Sequence, residues 1–262
     1  MKNQPLHIIK VGGNIIDDEQ KLQHFLNSFA SFEGRKILVH GGGKLATKLA
    51  SDLNIPQQMV DGRRITDADT LRIVTMVYAG YINKNIVSVL QSKGCSSIGL
   101  CGADANIIKA HKRVHPTLDY GFVGDVDSID STRLSALLES GLTVVIAPIT
   151  HDGKGQLLNT NADTIAQEIA KAMSDHYQST LIYCFEKSGV LMDAEDESTL
   201  IPLIDPAAFI RLKTEQKIFA GMIPKLENAF KALESGVDKV IIGNAEAWDA
   251  LITGKSGTTI SL

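Results

Sequence analysis

The sequence predicts an α/β fold, a three-layer α/β/α sandwich around an open, mainly parallel central sheet. Two patterns carry that prediction. Short strands that are apolar on both faces alternate with helices that are apolar on one face, and several of those strands end on glycine. With 262 residues and 44% hydrophobic content, the chain can fill such a core.

The first strand reads Leu6-His-Ile-Ile-Lys-Val11 and runs into Gly12 and Gly13. Lys10 is out of place in a buried strand unless it leaves the strand's end toward an anion. The two glycines present bare N–H groups of the kind that receive phosphate. Asp17 and Asp18 open a helix whose Leu22, Phe25, Leu26 and Phe29 share one face, and Gly34 ends it. A second strand, Ile37 to Val39, again runs into glycines, Gly41, Gly42 and Gly43, before a helix from Lys44 to about Leu53. This β-α-β-α order implies parallel strands joined by right-handed crossovers.

Residues 54–65 form a loop carrying Arg63 and Arg64, and Thr66 is the expected cap of a long helix reaching Lys93. Ser96 to Cys101 is a third strand, and residues 106–127 alternate as hairpins do. Asp130 caps a helix through Glu139, and Leu142 to Ile146 is a further apolar strand. Asn161 is the expected N-cap of the next helix, which places Asn159 and Asp163 at a strand-to-helix junction. Beyond Ser179 come a strand from Thr180 to Phe185, acids within 193–197, a helix including Ile210, a helix from Met222 to Glu234, and strands from Val237 to Ile242 and Thr258 to Ser261.

Composition excludes several functions. A net charge of −4 with interspersed signs offers no basic stripe, so no nucleic acid is expected as a partner. No apolar run approaches the roughly 18 residues of a membrane span, so no membrane association is expected. Cys95, Cys101 and Cys184 lack metal-ligand spacing and sit in apolar runs, which fits core packing in a reducing, cytoplasmic compartment with no protein-held metal. The P-loop pattern fails, since Asp249 stands where Gly254-Lys255-Ser256 needs its first glycine. The dinucleotide pattern is half met by Gly41, Gly43 and Ala46, without the second strand ending in an acid.

What remains is Lys10, Gly12, Gly13, Gly41 to Gly43, Arg64, Asn159, Asp163 and Lys225. Phosphoryl transfer needs little proton chemistry but much positive charge around the transferring oxygens, and two lysines with one acid suit it. Six stretches in order, Ile9-Lys-Val-Gly-Gly13, Val39-His-Gly-Gly-Gly43, Gly62-Arg-Arg-Ile-Thr66, Asn83-Lys84, Asn159-Thr-Asn-Ala-Asp163 and Gly221-Met-Ile-Pro-Lys225, resemble the N-acetylglutamate kinases of the amino acid kinase superfamily. The resemblance covers essentially the whole chain.

That resemblance implies ATP, with Mg²⁺ carried by the nucleotide, phosphorylating the γ-carboxylate of an N-acyl-L-glutamate in arginine biosynthesis. It implies that Lys10 and Lys225 stabilise the transferring phosphoryl group, that Asp163 holds both lysines, and that Gly12 and Gly13 contact the ATP phosphates. Gly42 and Gly43 would hold the acyl-amino acid, Arg64 its α-carboxylate and Asn159 its main-chain end. Residues 1–176 would form the acyl-amino-acid lobe and dimerisation region, and residues 177–262 the ATP lobe. Alternatives are a kinase for N-succinyl-L-glutamate or N-acetylaminoadipate, or a non-catalytic nucleotide or amino-acid sensor. For a succinyl group, Lys109 and Lys112 are the candidate partners of the extra carboxylate.

Two stretches depart from the family pattern. The nucleotide-side strand there usually ends Thr/Ser-Asp-Val-x-Gly, and this one ends Phe185-Glu-Lys-Ser-Gly189. The loop Gly99 to Ala105 lacks the usual glycine after Asp104. Apolar residues on more than one face of the long helix predict a twofold homodimer. Arginine-inhibited hexamers of such kinases carry an extra helix before the first strand; with about five residues there, that assembly is not expected.

Overall fold

The alternation of residues along the central strands sorts the core into two layers. In the computed structural model, which describes residues 4–60, 63–193, 195–218 and 222–262, strand β1 (Pro5–Val11) sends Leu6 and Ile8 to one hydrophobic layer and Ile9 and Val11 to the other. All four are fully buried, as a strand covered on both faces must be. Gly62 of the Gly-x-Arg-x-Thr stretch, Gly221 of the Lys225 stretch and the first three residues lie outside the described residues.

Beside β1 lie β2 (Arg35–His40) and, on its other side, β11 (Gln178–Phe185), both parallel to it. Among the described residues the sheet has eight strands in the order β12-β14-β13-β11-β1-β2-β8-β5. The remaining members are β5 (Ser97–Leu100), β8 (Thr143–Ile146), β12 (Leu203–Ile204), β13 (Lys239–Asn244) and β14 (Thr258–Ile260). Only the pairing of β13 with β14 is antiparallel, so the mainly parallel sandwich expected from the sequence is the fold observed. The sheet runs unbroken past residue 176, because β11 pairs directly with β1.

In chain order the helices begin with α1 (Gly13–Ile16) and α2 (Glu19–Ser31), the latter capped by Asp18. α3 (Gly43–Asp52) follows the glycines after β2, and the hairpin of β3 (Gln58–Val60) and β4 (Arg63–Ile65) leads to α4 (Ala68–Ser92). Later come α5 (Ser131–Glu139), α6 (Ala162–Met173), α7 (Pro206–Thr214), α8 (Ile223–Glu234) and α9 (Trp248–Ile252). α2, α4 and α9 cover the layer containing Ile9 and Val11, whereas α5, α6 and α8 cover the layer containing Leu6 and Ile8. A smaller sheet, in the order β10-β9-β6-β7, combines β6 (Ile108–Lys112), β7 (Gly124–Ile129), β9 (Ile149–His151) and β10 (Leu157–Asn159). The antiparallel β6–β7 pair supplies the hairpin read within residues 106–127.

The cap of α4 corrects the sequence reading. Asp67, not Thr66, accepts from the Thr70 N–H at 2.7 Å. Thr66 is already engaged: its N–H donates to the Tyr120 carbonyl, its carbonyl accepts from Phe122, and its hydroxyl donates to the Arg64 carbonyl and accepts from Asn159. The sequence also gave no sign that Met76–Ile82, inside α4, takes π-helical hydrogen bonding. By length and composition α4 is apolar enough to cross a membrane. Its Leu71, Ile73, Val74, Ile86 and Leu90 are instead buried in the protein core.

Candidate active site

Lys10 sits on the same face of β1 as Leu6 and Ile8, one step beyond the buried run, and therefore emerges over the N-terminus of α6. Asn161 caps that helix, accepting from the N–H groups of Asp163 and Thr164. The cap fixes Asp163 in the first turn, and its carboxylate meets the Lys10 ammonium at 2.8 Å. Both side chains are largely covered, 15% and 29% exposed, so this pair is screened less than a surface one.

Three strand ends are stitched together beside this pair. The Gly12 N–H donates to the Cys184 carbonyl at 3.2 Å, and the Gly41 N–H donates to the Val11 carbonyl at 3.1 Å. A cavity of about 540 Å³ opens there, lined by Lys10, Gly12, Gly13 and Asn14 on one side and Phe185 and Lys225 on the other. Asn14 bridges the two sides, donating to the Glu186 carboxylate and accepting from Lys44.

Lys225, in the first turn of α8, stands with its Nζ 4.2 Å from the centre of the Phe185 ring. Burial pushes its ammonium below the usual lysine range; Asp163 acts against that shift, and Lys10 adds to it. Asp163 thus touches Lys10 directly and acts on Lys225 through its field. Among the described residues its ion pair is with Lys10, and the Phe185 ring lies against Lys225.

A second hollow, of about 220 Å³, contains Gly42, Gly43, Arg64 and Asn159, with Tyr78 and Arg113 in its wall. Strand alternation separates Arg63 from Arg64: Arg64 is 9% exposed, whereas Arg63 is exposed although it also borders the hollow. The Arg64 guanidinium donates to the Gly43 carbonyl at 3.0 Å, the Thr47 hydroxyl at 2.9 Å and the Gln57 amide oxygen at 2.5 Å. Asn159, ending β10, donates to the Thr66 hydroxyl at 3.1 Å.

The glycine turn between the strands is held from below by His40, which is fully buried. Burial pushes its imidazole down to about 4, so the ring is neutral near pH 7. A carbonyl only accepts, so Nδ1 carries the proton and donates to the Gly41 carbonyl at 2.8 Å, leaving Nε2 to accept from Asn83 at 3.4 Å. Above the turn the π-helical stretch presses Tyr78 and Ile82 onto Gly42.

Residues 5–244 match the amino acid kinase family. The chain belongs to the amino acid kinase family. Curated members similar to it include the acetylglutamate kinase of Bacteroides fragilis, 55% identical over 93% of this chain and 94% of that one. The acetylglutamate kinase of Cytophaga hutchinsonii is 56% identical over 95% of each chain. Among solved structures, the smu.665 protein of Streptococcus mutans superposes with a TM-score of 0.76 at 27% identity, covering 98% of both chains.

In this family member the predicted residues thus fall into two groups: Lys10, Gly12, Gly13 and Lys225 around the larger cavity, and Gly42, Gly43, Arg64 and Asn159 around the smaller. Arg113 was missed because β6 was read only for its lysines. Lys112 instead pairs with exposed Asp119 at 3.1 Å, Lys109 packs along Gly153, and the next residue, Arg113, reaches the hollow. It is held by Asp125 through both Nε and Nη2.

Gly42 has φ of 147°, and a Cβ there would lie 2.2 Å from Ile82 Cδ1. Gly42→Ala is therefore expected to lower stability by about 1–3 kcal/mol in urea unfolding. Gly43→Ala, whose Cβ would meet only Arg64 Nη2 at 3.8 Å, is expected to cost much less.

Proposed function

We propose that this chain is an ATP-dependent kinase that phosphorylates the γ-carboxylate of N-acetyl-L-glutamate, a step of arginine biosynthesis, in the cytoplasm. The observation that carries the reading is the pair of cavities beside the adjoining glycine turns at Gly12–Gly13 and Gly41–Gly43, one lined by two lysines, the other by Arg64 and Asn159. The acetylglutamate kinases that share more than half of its residues support it. In this reading residues 177–262 supply much of the nucleotide's half, and residues 1–176 the acceptor's half together with Lys10, Gly12 and Gly13.

ATP occupies the larger cavity, its phosphates against Gly12 and Gly13. N-acetylglutamate lies in the smaller hollow with its α-carboxylate on Arg64, its main-chain end on Asn159 and its chain over Gly42 and Gly43. A γ-carboxyl group with pKa about 4.3 is already ionised at neutral pH, so no general base is needed. One carboxylate oxygen forms a bond to the γ-phosphorus as the bond to the ADP oxygen breaks. The obstacle is the approach of one anion to another, which the Lys10 and Lys225 ammonium groups offset at the transferring oxygens. No group of three His, Cys, Asp or Glu side chains among the described residues could cage an ion. Mg²⁺ carried by the nucleotide would add to this charge neutralisation.

A second reading, an acyl group with its own carboxylate such as succinyl, is favoured by Arg113 in the hollow's wall. The acetyl reading is preferred because Asp125 already neutralises that guanidinium. Coupled ADP release over a panel of acylated glutamates decides between them: acetyl substrates are expected to turn over fastest. A clear preference for succinyl would establish the second reading, and no ADP release with any of the panel would exclude an acylglutamate kinase.

The chain is further proposed to act as a twofold homodimer. Met76 and Tyr81 on α4 are 47% and 67% exposed, and with Leu45 and Leu49 of α3 they border an apolar hollow of about 390 Å³. A second copy's α4 would cover it. Light scattering should give twice 28.3 kDa at micromolar concentration; a monodisperse monomer would remove the interface.

Lys225→Ala should lower kcat by at least a hundredfold with little change in KM for ATP, since its contact strengthens in the transition state. Arg64→Ala should mainly raise KM for the amino acid, because the α-carboxylate is unchanged by the reaction. A Lys225→Ala enzyme with normal kcat would take that lysine out of the mechanism.

A further inference from the structure

Lys225 is a long, flexible side chain that must be aimed into the phosphate cavity, and the usual way to aim it would be a facing carboxylate. Lys10 has that arrangement, with Asp163 at 2.8 Å. Lys225 has no carboxylate within ion-pair distance among the described residues, and its Nζ lies 4.2 Å from the centre of the Phe185 ring. That is well inside the roughly 6 Å over which a ring face attracts a cation.

Phe185 is the last residue of β11, and strand alternation puts it on the same face as Leu181 and Tyr183, the face that α8 covers. Its backbone is held in register with Asn244 of β13, and its ring packs on the buried layer that includes Leu181. The ring is therefore a fixed surface, set by the sheet rather than by a loop.

We propose that Phe185 is a positioning residue for Lys225, holding the ammonium toward the transferring phosphoryl group without neutralising it. This rests on the phosphoryl-transfer reading. A carboxylate at that place would orient the lysine equally well but cancel the charge that the transition state needs. The π face attracts the cation through its quadrupole and leaves the full positive charge available. The charged groups acting on Lys225 are Asp163, Lys10 and Glu186. Asp163 is engaged with Lys10, and Glu186 accepts from Asn14. Both carboxylates favour the Lys225 ammonium through their fields, but neither touches it, so among the described residues the contact that positions it is the ring.

The test is steady-state kinetics of the full-length enzyme with ATP and N-acetyl-L-glutamate, supported by a double-mutant cycle. Phe185→Leu keeps apolar bulk but removes the π face, and is expected to lower kcat about tenfold with KM for the acylglutamate unchanged. Phe185→Tyr retains a ring face and should stay within about twofold of the parent. In the Lys225→Ala background, Phe185→Leu should have no further effect on kcat, because the ring acts only through the lysine. Normal kcat with a raised KM for ATP in Phe185→Leu would show the ring to be a wall for the nucleotide and overturn the proposal. So would the same tenfold loss in the Lys225→Ala background. An unsubstituted enzyme that releases no ADP with any acylglutamate would overturn the kinase reading itself, whereas an active one indifferent to Phe185→Leu overturns only the role of the ring.

Discussion

A lysine at the end of a fully buried parallel strand is tolerable only if something charged meets it, and the ion pair of Lys10 with Asp163 meets that condition. Much of the site follows from the pair. The carboxylate is in place because Asn161 caps α6, and α6 is in place because its Ile165, Ala166 and Ile169 bury against the strand face that carries Leu6 and Ile8. Gly12, beside Lys10, can then border the cavity while its N–H remains tied to the Cys184 carbonyl of β11. The Lys10 charge is thus carried by a strand whose Leu6, Ile8, Ile9 and Val11 are fully buried.

A second regularity concerns how the cations are held. Arg64 donates to a carbonyl, a hydroxyl and an amide oxygen, all neutral. Lys225 leans on a ring. Such partners fix position without cancelling charge, which suits groups that are to meet anions. Arg113 is built the other way, with both Nε and Nη2 given to Asp125. It shapes the smaller hollow more than it charges it, and this difference is the physical reason for preferring an acyl group without a carboxylate of its own.

The strands and most helices could be read directly, since burial on both faces of β1, β2 and β8 leaves continuous apolar runs, and Asp130 and Asn161 occupy the caps assigned to them; of the Asp17–Asp18 pair expected to open α2, Asp18 is the cap. Arg64 could be separated from Arg63 only by the pairing of β4, because a three-residue strand gives too little pattern to set which side chain faces in. The π-helical stretch at Met76–Ile82 was invisible for a different reason: its apolar residues satisfy the ordinary helical period as well. The Phe185–Lys225 contact joins residues 40 apart, and nothing in either local sequence announces it. Thr66 was misassigned because a good capping residue can be claimed first by a strand bridge.

The chemistry turns on whether a carboxylate of the substrate, and not water, takes the phosphoryl group. N-acetyl-L-glutamate labelled with ¹⁸O in both γ-carboxyl oxygens, incubated with ATP and Mg²⁺ and trapped with hydroxylamine, answers this by mass spectrometry of the released phosphate. Hydroxylamine attacks the acyl carbon and expels the phosphate with the oxygen that bridged it, so each phosphate should carry one ¹⁸O and the glutamyl hydroxamate should form in equal amount. ADP formed with unlabelled phosphate and no hydroxamate would mean that water is the acceptor, and would contradict phosphoryl transfer to the γ-carboxylate.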